Sequence, residues 1–154
     1  MRNRPAAVSP LEAHLGYWLR FVSNQVSHAF SVKLAERGVS VAEWVVLRHL
    51  YECEAMAPSA LAERMGMTRG AISKLVDRLA GRALVRRAIS GDDRRYQALA
   101  ITAKGRALLP KLAALADEND AAFFGHLDAA EQERIRSVMR EIVRRQGLKS
   151  VPVD

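Results

Sequence analysis

The chain has 154 residues and a formal net charge of +7; 49% of its residues are hydrophobic and 27% are charged. This composition is typical of an ordinary soluble globular protein, and the length is sufficient for one compact domain with its own core. The longest uncharged stretch, residues 21–32, is too short to span a bilayer and is interrupted by Ser, Asn, Gln and His, which excludes a membrane-spanning helix there.

The N-terminus and the metal-binding residue types exclude further classes. No apolar segment follows Arg2 and Arg4, so we expect no secretory signal and a cytoplasmic location. The single cysteine, Cys53, excludes an intramolecular disulfide and a cysteine-rich zinc finger. The histidines lack the close pair spacing of a metal site, so no metal or other cofactor is expected. They are His14, His28, His49 and His126.

The surplus of positive charge lies in one third of the chain. Residues 58–106 contain eleven basic and four acidic residues, whereas the remaining 105 residues contain thirteen of each. Such a block is typical of a surface that binds a polyanion. Charge alone does not distinguish a nucleic-acid site from a basic solvated surface.

The first part of the chain predicts two helices. Ser9 and Glu12 have the spacing of a capping box, and apolar residues then recur at intervals of three and four until Gly38. Ser40 and Glu43 repeat the capping box. The helix that they open has apolar residues on most sides, which is typical of an element buried in a core.

The last third of the chain predicts two more helices. Thr102 is a suitable N-cap for a long helix, and Asp128 with Glu131 forms a capping box for the final one. These helices and the first one carry more apolar residues than one small core needs. We therefore expect them to interdigitate between two chains, the alternative being that they only cover their own domain.

Residues 58–79, PSALAERMGMTRGAISKLVDRL, match the steric requirements of a helix-turn-helix. Ala62 is small where two helices would cross, and Gly66 lies in a turn that requires a positive φ. Apolar residues at 72, 75 and 79 would hold the second helix against the core. The outer face is then left with Arg69, Gly70, Ser73, Lys74, Asp77 and Arg78. The alternative is an ordinary α-hairpin of a helical bundle.

A β-hairpin is expected directly after this motif. Residues 83–89 and 97–101 have the apolar content of short strands, and the segment 90–95 between them is charged and rich in turn residues. The predicted order is α-α-α-α-β-β-α-α, a mainly α fold with a small β-hairpin wing. A helix-turn-helix followed by such a wing, inside a basic block, favours binding to double-stranded DNA.

From about residue 11 to residue 143 the chain resembles the MarR family of multiple-antibiotic-resistance regulators. The most specific similarity is DRR at 93–95 followed by ITAKG at 101–105, which looks like the family's D-x-R wing tip and L-T-x-x-G helix start, with isoleucine where leucine is usual. We expect one MarR-like chain over 1–154, with dimerisation helices at 9–37 and 103–146 flanking a winged helix-turn-helix at 40–102.

The predicted DNA contacts lie on the second helix of the motif and on the wing. N-terminal residues of a helix reach deepest into the major groove, where Arg69 can bond a guanine bidentately and Gly70 allows close approach. The narrow minor groove attracts arginine; the resemblance implies that Arg95 is inserted there and that Asp93 orients it. The predicted set is Thr68, Arg69, Gly70, Ser73, Lys74, Arg78, Asp93, Arg94 and Arg95, with Arg64, Arg82, Arg86 and Arg87 as candidates for phosphate contacts.

The resemblance also implies a small-molecule effector, often an aromatic or phenolic acid, bound between the dimer helices and the winged helix. The candidate lining residues combine aromatic surface with positive charge. They are His14, Tyr17, Trp18, Arg20, Trp44 and Arg48. Both tryptophans lie on apolar stripes, so a role in the core is the alternative.

The sequence therefore predicts a ligand-responsive transcription repressor that binds a pseudo-palindromic operator as a homodimer. The alternative is an architectural or constitutive DNA-binding protein without an effector. An enzyme is not expected, because the sequence has no Gly-rich phosphate loop, no metal-ligand cluster and no G-x-S-x-G nucleophile elbow.

Overall fold

The computed structural model describes residues 8–89 and 97–149. Within these ranges the chain forms helices and one pair of antiparallel strands in the predicted order. The helices are α1 (Leu15–Ala35), α2 (Val41–Tyr51), α3 (Pro58–Met65), α4 (Arg69–Gly81), α5 (Ala103–Phe124) and α6 (Ala129–Gln146), and the strands are β1 (Val85–Ile89) and β2 (Gln97–Ile101). No helix in the described part of the chain is long and apolar enough to cross a membrane.

The first helix begins later than the sequence predicts. Residues Leu11–Ala13 form a single 3-10 turn without a side-chain cap, and α1 begins at Leu15 after an extended residue at 14. The capping box predicted at Ser9 and Glu12 is therefore wrong.

Two side chains explain this break at the start of α1. The indole Nε1 of Trp18 donates to the carbonyl oxygen of Glu12 at 2.9 Å, and Nδ1 of His14 lies 3.2 Å from the carbonyl oxygen of Pro10. A continuous helix would need these carbonyl groups for its own backbone hydrogen bonds. The side chains compete for them, so the turn stays separate from the helix.

Most of the core lies in the winged helix-turn-helix part of the chain, and α1 and α5 contribute residues to it. α4 places its predicted apolar positions in it, since Ile72, Leu75 and Leu79 are all buried. Burial of one such side chain stabilises the fold by about 1.5 to 3 kcal/mol. The largest fully buried side chains are Leu34, Leu47, Leu50, Leu61, Ile72, Leu79, Leu99, Leu109 and Leu112.

The other predicted caps are confirmed. The Ser40 N–H donates to Glu43 Oε2 at 3.0 Å, and the Glu43 N–H donates to Ser40 Oγ at 3.1 Å. Asp128 caps α6 in the same reciprocal way. The turn between α3 and α4 has the predicted left-handed glycine, because Gly66 has a φ of 62° and ends α3. These local signals set where the helices of the motif begin and end.

The start of α5 lies so close to the preceding strands that only glycine fits at position 105. The hydroxyl of Thr102 donates to the carbonyl oxygen of Ala83 at 2.6 Å and accepts the N–H of Gly105 at 3.0 Å. A Cβ at Gly105 would lie 2.7 Å from Cγ1 of Ile101 and would also collide with the carbonyl oxygen of Leu84. This close approach explains the T-x-x-G spacing at 102–105.

α1 and α6 leave an apolar surface uncovered. Among the described residues, α6 has no buried side chain. Both helices line a groove of about 750 Å³ that also contains Phe124. Eight of its apolar side chains are 41% to 81% exposed: Leu15, Leu19 and Val22 of α1, and Ile135, Val138, Met139, Ile142 and Val143 of α6.

The two capping boxes should differ in their contribution to stability. Glu43 is only 6% exposed and lies beside two arginines, whereas Glu131 is exposed. We expect Glu43→Ala to lower the free energy of unfolding by about 1 to 3 kcal/mol, because it leaves the Ser40 N–H without its acceptor. Glu131→Ala should cost less, about 0.5 to 1 kcal/mol. Urea unfolding at one protein concentration measures both, and equal losses would contradict the expectation.

Candidate nucleic-acid interface

α4 separates its side chains into a buried and an exposed face. The buried face holds the helix against the core through Ile72, Leu75, Val76 and Leu79. The predicted DNA contacts on this helix and its cap are all exposed: Thr68, Arg69, Gly70, Ser73, Lys74 and Arg78. The fold therefore brings the helical part of the predicted set onto one accessible surface, and their contact with DNA stays a prediction.

The N-terminus of α4 is open to a large partner. Thr68 Oγ1 accepts the N–H of Ala71 at 3.2 Å and so caps the helix, while the hydroxyl hydrogen remains available to a phosphate. A Cβ built on Gly70 would meet nothing within 4 Å. Unpaired N–H groups and the helix dipole favour an anion at this end.

Two of the predicted cations at the other end of α4 are directed at a buried carboxylate. Arg78 Nε lies 3.7 Å from Glu43 Oε1, and Arg82 Nη1 lies 3.8 Å from Glu43 Oε2. Arg82 Nη1 also donates to the carbonyl oxygen of Gly38 at 2.6 Å. Arg82 therefore bonds the junction between α1 and α2, and only Arg78, whose side chain is 63% exposed, keeps a large accessible surface.

The wing is joined to α4 by an ion pair that the sequence did not predict. β1 and β2 pair antiparallel, with Arg87 opposite Leu99. Arg87 Nη2 donates to Asp77 Oδ1 at 2.7 Å. Arg87, a candidate for phosphate contact, thus has an internal partner, whereas Arg86 is exposed. Only the fold brings residues ten positions apart on different elements together, so no local pattern could have predicted the pair.

A small hollow of about 80 Å³ lies between α4 and the wing. Its floor is apolar and includes Ile72 and Leu99. Its polar lining is supplied by Arg69, Ser73, Arg87 and Gln97. The hollow brings two predicted contacts of α4 next to the base of the wing. The predicted wing-tip residues Asp93, Arg94 and Arg95 lie outside the described residues.

The predicted effector residues fall into two groups. On the N-terminal side, the rings of Tyr17 and Trp18 pack edge to face at 5.2 Å between centroids. On α2, Trp44 is half-buried and packs edge to face on Phe30 at 5.9 Å, and the Arg48 guanidinium lies 5.9 Å from its ring centroid. None of the three described cavities is lined by the six candidates. Their role in ligand binding stays a prediction.

The tryptophans differ in the environment that the fold gives them. Trp44 packs at the edge of the core, as the alternative interpretation of its apolar stripe holds. Trp18 is 47% exposed on α1. Within residues 8–89 and 97–149, no group of three or more His, Cys, Asp or Glu side chains could hold a metal ion.

Comparison with known proteins identifies relatives among transcription regulators. The model of the MarR family matches residues 37–95. Over 131 residues the chain is 27% identical to the HTH-type transcriptional repressor Rv2887 of Mycobacterium tuberculosis, covering 85% of this chain and 94% of the relative.

Solved structures share the fold over nearly the same length. CouR from Rhodococcus jostii RHA1, solved bound to p-coumaroyl-CoA, is 28% identical with a TM-score of 0.75, covering 88% of this chain and 95% of CouR. A mutant MarR from E. coli, solved with operator DNA, has the same fold with a TM-score of 0.73 at 19% identity, covering 84% of this chain and 93% of that one. The chain therefore resembles the MarR family of transcriptional regulators over residues 37–95 and shares the winged helix-turn-helix fold of these solved structures.

Proposed function

We propose that this protein is a sequence-specific transcription repressor that binds double-stranded DNA as a homodimer and responds to a small aromatic or phenolic acid. The observation that carries the DNA-binding part is the exposed face of α4, where polar and basic side chains surround an open helix N-terminus. The complex of E. coli MarR with operator DNA supports this role for the shared fold.

The geometry of α4 suits the major groove of B-DNA. An α-helix fits this groove, and side chains on its first turns reach the base edges. Arg69 and Ser73 lie one turn apart on the exposed face, so one helix orientation presents both. Arg69 is the candidate for a bidentate contact with guanine, and Ser73 can bond a base or a phosphate.

The uncovered apolar surface of α1 and α6 supports a homodimer. α6 contributes no buried side chain within its own chain, and an amphipathic helix of this length gains most of its stability by packing an apolar face. A second copy presents the same apolar surface, so a two-fold axis can bury both at once. Two winged helices related by that axis match a pseudo-palindromic operator.

The charged side chains on the polar face of α6 pair with one another. The apolar face is therefore the one available to a second chain. Glu141 accepts from Arg144 and Arg145, and these hydrogen bonds hold the pKa of its carboxyl below the ordinary value. The hydrogen bond from Arg136 and the charge of Arg140 likewise lower the pKa of Glu133. These carboxylates stay charged at neutral pH and are balanced on their own helix.

An effector site is supported by a relative and by chemistry rather than by a formed cavity. CouR was solved with p-coumaroyl-CoA, a conjugate of a phenolic acid. In this chain the Arg48 guanidinium lies over the Trp44 ring, so a cation and an aromatic surface are adjacent on α2. Arg48 also pairs with Glu52 at 3.0 Å. A carboxylate ligand would have to replace that pairing. A DNA-binding protein without an effector remains the second candidate.

Loss of Arg69 should reduce specificity. We expect Arg69→Ala to cost about 1 to 3 kcal/mol on a duplex selected from random DNA, and much less on an unselected duplex, because a base contact is lost. Lys111→Ala removes one exposed cation from α5 as a control and should leave the preference unchanged. Titration of fluorescent duplexes at fixed salt measures both. An equal loss on the two duplexes would make Arg69 a phosphate contact.

A methyl group at position 70 should separate DNA binding from folding. A Cβ at Gly70 or at Gly81 meets nothing within 4 Å, and both glycines lie in α4. Each alanine substitution should therefore keep or raise stability, by up to about 1 kcal/mol. We expect only Gly70→Ala to weaken DNA binding, since only residue 70 lies at the N-terminal end. Unchanged affinity of Gly70→Ala would contradict the proposed approach of this end to DNA.

A charge in the apolar face of α6 should dissociate the dimer. Ile142 lines the uncovered groove, whereas Arg140 lies on the polar face. We expect Ile142→Glu to raise the dimer dissociation constant at least tenfold, because a buried unpaired carboxylate costs more than about 1.4 kcal/mol. Arg140→Gln should leave the dimer intact. Sedimentation at micromolar concentration measures both, and a monomeric wild type would refute the proposed homodimer.

A further inference from the structure

The exposed face of α4 contains a carboxylate that the proposed DNA contacts do not explain. Asp77 follows Ser73 by one helical turn, and its side chain is 63% exposed. Its neighbours on this face, Lys74 and Arg78, are basic. A free carboxylate at this position would face phosphates and weaken DNA binding of every sequence.

The carboxylate is not free, because it is paired with the wing. Oδ1 of Asp77 accepts a hydrogen bond from Nη2 of Arg87 at 2.7 Å. Arg87 lies at the middle of β1 and, together with Arg69 and Ser73, lines the hollow between α4 and the wing. Among the described residues, this is the ion pair that joins α4 to the wing.

Stability is a weak explanation for this pair. The two side chains are 63% and 41% exposed, and exposed pairs of this kind contribute about 0 to 1 kcal/mol. The geometry of DNA binding is a stronger explanation for the pair. A winged helix must place its helix in the major groove and its wing beside it at the same time, so the angle between the two elements decides whether both sets of contacts form.

We propose that Asp77 is a positioning residue for sequence-specific DNA binding, which acts by holding Arg87 and thereby fixing the wing against α4. The inference rests on the proposed DNA-binding function. The pair is neutral, so it adds little to the general attraction to phosphates. Its effect is to favour the one arrangement in which α4 and the wing contact a matching site together. Asp77 thus raises the affinity for the operator relative to that for random DNA.

Removal of the Asp77 carboxylate should raise the affinity for random DNA and lower the affinity for the operator. In Asp77→Asn the freed Arg87 adds one positive charge to the DNA face. We therefore expect random-duplex affinity to rise about two- to tenfold, with a salt slope steeper by about 1. Operator affinity should fall, so that the ratio of operator to random affinity drops at least tenfold. Asp117→Asn makes the same charge change on the exposed surface of α5 and should leave the ratio unchanged.

Reversal of the pair separates positioning from a direct contact. Asp77→Arg and Arg87→Asp should each lower the ratio, and the double variant, which restores an ion pair, should bring it back to within about threefold of the wild type. Melting temperatures of all variants should agree within a few degrees, since the pair is exposed. The operator duplex is obtained by selection from random DNA, and binding is titrated at several salt concentrations.

Three outcomes would overturn the inference. If Asp77→Asn raises the affinity for operator and random duplex by the same factor, the carboxylate only repels phosphates. If the ratio falls but the double variant does not restore it, Asp77 contacts the DNA itself. If the wild type binds selected and random DNA equally, the proposed sequence-specific function fails first. The wild-type ratio thus tests the proposed function separately from the inference, and the Asp117→Asn control distinguishes an effect specific to Asp77 from an effect of net charge.

Discussion

Three consecutive carbonyl groups that follow α4 accept hydrogen bonds from residues at the start of α5. The carbonyl oxygen of residue 82 accepts from Lys104 Nζ at 2.9 Å, that of residue 83 from the Thr102 hydroxyl at 2.6 Å, and that of residue 84 from the Thr102 N–H at 3.1 Å. Ala83 has a φ of 57°, a left-handed conformation that costs a non-glycine residue of order 1 kcal/mol or more. The hydrogen bonds to residues 82, 83 and 84 offset that cost. They also fix the direction of the chain after the end of α4.

This junction links the end of α4 to the start of α5 through hydrogen bonds. α5 has 22 residues, which corresponds to about 33 Å of helix. Its first turn is bonded to the end of α4, and its last residue, Phe124, lies in the apolar groove with α1 and α6. Buried Asn119 also ties it to α1, since its Nδ2 donates to the carbonyl oxygen of Val26 at 3.1 Å.

The sequence predicted those features that depend on neighbours along the chain. The caps at Ser40, Thr68 and Thr102 and the left-handed Gly66 need only residues three or four positions apart, so their signals are complete in the sequence. The start of α1 was not predictable in this way, because the indole of Trp18 takes a backbone carbonyl that the local pattern assigns to the helix.

The sequence predicted which side chains of the candidate site are exposed, but not which residues pair with one another. The alternation of apolar and polar residues in α4 identified its exposed side chains, because burial follows the helical period. The partners of Arg82 and Arg87 come from other elements: Gly38 lies 44 positions from Arg82, and Asp77 lies ten from Arg87. Such partners depend on the packing of helices and strands, for which a single sequence carries no local signal.

These pairings change what the basic block means for DNA binding. The block holds a surplus of positive charge, but the guanidinium of Arg82 is bonded at the α1–α2 junction, and that of Arg87 is neutralised by Asp77. A cation that is already paired releases no counterion when DNA approaches, because the phosphate must first displace its partner. The number of phosphates neutralised is therefore smaller than the number of arginines. Part of the positive charge of this segment is thus bonded to α2, α4 and the α1–α2 junction, whereas Arg69 and Lys74 on the exposed face of α4 are among the cations that we expect to meet the DNA.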